Sequence, residues 1–126
     1  MQGHETLLAW QLARSFVLHV YRVTVSCWCP QYSAVIDQLR RSALSVQLNI
    51  AEGYALGTPG LFAKHLAIAY GSGVEAVDAL GLLMELIPMT KTEFAGLSEN
   101  GKRCCRVVLG LKHATLRSVP RRGDAR

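Results

Sequence analysis

The segment Gln38-Leu39-Arg40-Arg41-Ser42-Ala43-Leu44-Ser45-Val46-Gln47-Leu48-Asn49-Ile50-Ala51-Glu52-Gly53 limits the fold more than any other part of this chain. At the ~100° per residue of an α-helix, Leu39, Ala43, Val46, Ile50 and Tyr54 gather on one side. Gln38, Arg41, Ser45, Asn49 and Glu52 form a row on nearly the opposite side. The alternation that a half-buried strand needs is missing. A helix with one apolar stripe must bury it against other elements, so the remaining segments have to supply matching stripes.

Proline and glycine divide the rest of the chain into three such segments. A first helix is expected over residues 6–29, closed by Pro30, which disfavours helical geometry in the residue before it. The second follows Pro30 and stops near Gly57, a residue suited to a left-handed cap. Thr58-Pro59 then restarts the chain, with threonine as the cap and proline at the first helical position. The third helix reaches about residue 87, before Pro88. Thr90-Lys91-Thr92-Glu93 reads as a capping box for a fourth helix, ending near residue 118. Residues 119–126 are set apart as a basic, disordered tail, leaving 1–118 as the folded domain. A chain of 126 residues has room for one core. Short connections make neighbouring helices antiparallel, so the expected fold is all-α, an up-down four-helix bundle.

The same periodicity assigns the core faces. The first helix offers Leu12, Phe16, Val20 and Val23. The third offers Phe62, Leu66, Ala69, Tyr70, Gly73, Val77, Leu80 and Met84, and the fourth Phe94, Leu97, Cys104, Val108 and Leu111. Leu7, Leu18 and Val25 on the first helix, and Ile68, Leu82 and Leu86 on the third, lie off these stripes. One stripe per helix suffices for a monomer. The surplus, in a chain 50% hydrophobic and only 18% charged, predicts a second interface and hence a homo-oligomer. No uninterrupted apolar run reaches the ~18 residues that cross a bilayer. Met1-Gln2-Gly3-His4-Glu5 lacks the basic start of a signal peptide. A cytoplasmic protein with no membrane partner is therefore expected.

Charge is concentrated at one end. From Lys102 to Arg126 there are eight basic residues against Asp124 alone, a local net of +7 in a chain of net +5, which leaves −2 for the remainder. Lys102, Arg106, His113 and Arg117 fall within about 60° of one another on the fourth helix, opposite its apolar side. Arg103, Arg121 and Arg122 extend this basic quarter, and no acid is expected to interleave it. Such a stripe suits RNA or DNA phosphates, neutralising backbone charge without reading bases. The competing reading is the solvated face of an ordinary amphipathic helix. The aromatic residues fall on or beside core stripes, away from the basic one, which favours backbone or shape recognition over base stacking.

The polar row of the second helix reads chiefly as structural. Arg41 and Glu52 are too far apart to pair within one helix, so each should meet a partner on another helix or subunit. Arg41, Ser45, Asn49, Glu52, Ser72 and Glu75 are expected to form a network that fixes register. Nucleic-acid contact by Arg40 or Arg41 is a second reading. Cys27, Cys29, Cys104 and Cys105 lack the paired Cys-x-x-Cys spacing of a structural zinc site and read as small buried hydrophobes near the ends of two helices. No acid has a histidine three residues on, as a di-iron bundle requires. Neither a Gly-x-Ser-x-Gly elbow nor a phosphate-cradling glycine loop occurs. No catalytic residue, metal site or cofactor is expected.

Asn49-Ile50-Ala51-Glu52-Gly53, after Arg40-Arg41-Ser42, resembles the signature of the four-helix-bundle proteins encoded in 23S ribosomal RNA intervening sequences. That family is close in fold to the accessory variability determinant of diversity-generating retroelements. Trp10-Gln11-Leu12-Ala13 and Val20-Tyr21-Arg22-Val23-Thr24 are similar to its first helix, and Pro30 stands at its first break. Phe62, Leu66-Ala67-Ile68-Ala69 and Gly71-Ser72 with Glu75 are similar to its third. The chain departs from the family at Ala55-Leu56-Gly57, where a basic residue is common, and at Cys29, where an aromatic precedes the proline. The resemblance implies a pentameric ring and two settings. One is an accessory protein that binds a reverse transcriptase and its RNA template. The other is a protein encoded within an rRNA intervening sequence.

Residues and resemblance together predict a non-catalytic, basic assembly protein that binds nucleic acid, RNA before DNA, and serves as an accessory factor to a reverse transcriptase in a diversity-generating retroelement. The alternative is a protein-interaction scaffold without nucleic-acid binding, in which the surplus apolar faces carry the function.

Overall fold

A computed structural model describes residues 3–88 and 91–121. Four helices follow one another: α1 (Leu8–Cys27), α2 (Ser33–Ala55), α3 (Pro59–Leu86) and α4 (Lys91–Arg117). Each packs on the next, and α1 closes against α4, giving an up-down four-helix bundle.

The helix ends follow local chemistry. Gly57 takes φ +82° and ends the second helix, since a left-handed residue there costs least as glycine. Thr58 Oγ1 accepts a hydrogen bond from the Leu61 N–H at 3.3 Å, and Pro59 occupies the first turn of α3. The first helix is shorter than expected at both ends. His4–Thr6 forms a separate 3-10 turn, with Thr6 Oγ1 donating to the Gly3 carbonyl at 2.9 Å. Trp28 and Cys29 are already extended, because Pro30 excludes the helical region for Cys29 and the helix stops before it. Thr90 of the expected capping box lies outside the described residues. So does Arg122 of the expected tail, while Arg121 lies beyond the last turn of α4.

Burial follows a strict seven-residue repeat. The seam is Ile36, Leu39, Ala43, Val46, Ile50 and Gly53 on α2, and Phe94, Leu97, Gly101, Cys104 and Val108 on α4. On α3 it is Leu66, Ala69, Gly73, Ala76, Leu80 and Leu83, continuing to Ile87. Steps of three and four residues give the 3.5-residue period of knobs-into-holes packing. This corrects the expected phase of the third helix. Ala76 and Leu83 are buried where Val77 and Met84 were expected, and Met84 is 41% exposed. A stripe projected at 3.6 residues per turn drifts ~20° per heptad away from a 3.5-residue seam. On a helix apolar around most of its surface, the facing helices choose the phase.

Gly53 lets α2 and α3 approach closely, since an added Cβ would lie 2.6 Å from His65 Cβ. Cys104 and Cys105 lie mid-helix in α4, not near an end as expected. Cys104 packs in the core with Ile50, Leu66 and Val108, and burial pushes its thiol up to about 12, with Cys105 adding to the shift. The α3 helix is long and apolar enough to cross a membrane by length and composition alone. In the bundle it packs between α2 and α4.

Candidate nucleic-acid interface

The α4 surface opposite its seam carries the candidate contacts. Lys102, Arg103, Arg106, His113 and Arg117 are all exposed there, and Arg121 is exposed beyond the helix end. No acid lies between Lys102 and Arg121, but one stands at the head of the row. Glu99 lies two turns before Arg106, and its Oε1 sits 3.3 Å from Arg106 Nη2. The heptad offset brings the two to one face, a relation that the expected acid-free stripe overlooked. Both side chains are largely exposed, so water screens the pair and its contribution to stability is small. No other carboxylate pairs with this row among the described residues.

Arg40 and Arg41 are on a different surface from the α4 row. Arg40 is half-buried between α1 and α2, with Nε donating to Thr24 Oγ1 at 2.9 Å and its guanidinium 4.8 Å from the Tyr21 ring centroid. Thr24 in turn donates to the Val20 carbonyl at 2.7 Å. Arg40 thus holds two helices together and is committed to protein contacts. Arg41 is exposed, and its Nη2 donates to Gln38 Oε1 at 3.0 Å.

The polar row of α2 meets α3 along one line. Gln38 Nε2 donates to Glu75 Oε1, which links Arg41 to Glu75 through Gln38. Further along, the Ser45 and Ser72 hydroxyls lie 2.8 Å apart. Asn49 Nδ2 donates to the Ser45 carbonyl and hydroxyl at 2.9 and 3.1 Å. The Asn49 Oδ1 accepts from His65 Nδ1 at 3.0 Å, and Glu52 approaches the same nitrogen at 3.9 Å. His65 is the member that sequence reasoning missed. Its signal was available, because His65 and Ser72 are seven residues apart and share a face of α3. A one-residue slip between α2 and α3 would break these bonds together, so the network specifies register.

The family described as 23S rRNA-intervening sequence protein matches residues 5–110. The chain belongs to that family. A solved structure of a protein of unknown function, from the S23 ribosomal protein family of Bacteroides thetaiotaomicron, has the same fold. Its TM-score is 0.76 at 17% identity, covering 83% of this chain and 98% of that one. A search of curated proteins finds no match.

This family member also exposes ordered apolar surface. On α1, Leu18, Tyr21 and Val25, with Trp28 just past its end, repeat at heptad spacing and are 41–71% exposed. On α3, Leu61, Ile68 and Leu82 repeat at multiples of seven, with Leu86 beside them. Leu7 is half-buried, unlike the other surplus residues, because it packs under α1 against the core.

Proposed function

We propose that this intervening-sequence protein is a non-catalytic assembly protein that holds nucleic acid, RNA in the first place, by its phosphates. The observation that carries the proposal is the exposed α4 row, in which Lys102, Arg103 and Arg117 have no carboxylate partner among the described residues. Arg121 continues it, and Arg122 lies next in sequence. Positioned cations of this kind neutralise phosphates and carry no sequence information. The choice of RNA follows the family's tie to ribosomal RNA.

In the proposed assembly, the apolar rows of α1 and α3 join copies into a ring, taken as a pentamer. A ring repeats each stripe and turns a weak patch into a multivalent one. In a diversity-generating retroelement its partner would be a reverse transcriptase, and co-purification with that enzyme separates this setting from an intervening-sequence one. The exposed apolar rows also favour a second reading, a protein scaffold that ignores nucleic acid.

Glu99→Gln tests the two readings against each other. Freeing Arg106 and removing a repulsive charge should tighten binding to a structured RNA about two- to threefold in a gel-shift titration. A scaffold of the second kind shifts no RNA with either protein.

A further inference from the structure

A cleft of about 530 Å³ opens at the end of the bundle, where the α2–α3 turn meets the last turn of α4. Tyr54 of α2 and Phe62 of α3 give it an aromatic wall, edge to face with centroids 5.8 Å apart. Thr115 and Ser118 bring hydroxyls from the α4 side. Thr115 Oγ1 donates to the Leu111 carbonyl at 2.8 Å and keeps its lone pairs for accepting. The Ser118 hydroxyl makes no hydrogen bond to another described residue and is exposed. Arg117 adjoins Ser118 in the chain, and together with Arg121 it lines a second hollow on the same end of α4.

These are the three requirements of an unpaired nucleotide: a π-face for stacking, hydrogen-bonding groups for the base edge, and cations for the flanking phosphates. A paired base is stacked on both faces and cannot enter. The volume lies within the ~300–1,000 Å³ of small-ligand sites. A neutral apolar ligand would use the aromatic wall and leave both arginines idle. We infer that the cleft takes an unpaired base of the bound RNA, from a strand end or a bulge, while Arg117 and Arg121 hold its phosphates. This rests on the nucleic-acid reading above and adds to it a preference for RNA that is not fully paired. Sequence reasoning set the aromatic residues apart from the basic stripe. The fold brings Tyr54 and Phe62, from two other helices, beside Thr115 and Ser118 at the end of the helix that carries that stripe.

The test compares two RNA hairpins of equal charge. One ends in a two-nucleotide 3′ overhang carrying 2-aminopurine, and the other is blunt and one base pair longer. Wild-type protein should bind the overhang about tenfold more tightly and quench its fluorescence by stacking. Tyr54→Leu, checked for native helicity by circular dichroism, should lose the preference and the quenching. Equal wild-type affinity for both hairpins without quenching overturns the cleft and leaves phosphate binding standing. Absence of binding to either hairpin overturns both readings.

Discussion

Lys102→Glu combined with Arg117→Glu is expected to lower affinity for structured RNA at least ~100-fold near 100 mM salt, with the fold unchanged. Both side chains are exposed on α4 and neither has a partner among the described residues, so reversing them disturbs no packing. Each change removes a cation from a phosphate and adds a repulsion. The salt dependence should become shallower by about one unit of log–log slope for each phosphate no longer neutralised. Arg106 is a poorer target: Arg106→Glu would put a second carboxylate beside Glu99, so weaker binding would mix with local repulsion. Fluorescence anisotropy measures the affinity and circular dichroism verifies the helices. Unchanged affinity in the double variant would move the site off α4.

Ile50→Asp is expected to abolish cooperative folding. Ile50 is fully buried in the cluster formed by Ala9, Ala13, Val46, Leu66, Cys104 and Val108, which involves all four helices. The substitution removes packing that is worth about 2–5 kcal/mol in Ile→Ala changes. It also buries a carboxylate with no cation in that cluster, a further cost of several kcal/mol. A domain this small has about 5–15 kcal/mol in total. Thermal melting by circular dichroism should show no transition, while Ile50→Val should melt a few degrees below wild type. A wild-type melt for Ile50→Asp would mean that the α2 seam faces another way.

The residues that could be read correctly in the sequence are those whose local chemistry leaves no choice. Gly57 and Thr58-Pro59 mark the second turn because only glycine takes φ > 0 cheaply and only a side-chain acceptor caps the next helix. Leu39, Ala43, Val46 and Ile50 were legible because α2 has a single apolar stripe, so its phase has one solution. The α3 helix, apolar on several sides, has more than one. Choosing Leu83 over Met84 required knowing that α2 and α4 impose a 3.5-residue seam. The site was harder for a related reason. Pairings within one helix, such as Glu99 with Arg106, follow from spacing and could have been found. The Tyr54–Phe62 wall beside Ser118 could not, because it exists only once the register of three helices is set.

Binding of nucleic-acid phosphates by the α4 row is tested most directly by the affinity for a structured RNA across a salt series. Binding should be tight at 50 mM salt and fall linearly in log–log form with a slope steeper than about −2, reflecting several phosphates neutralised. No binding at 50 mM salt, or an affinity indifferent to salt, would contradict phosphate recognition and leave the apolar rows of α1 and α3 as the working surfaces of a protein scaffold.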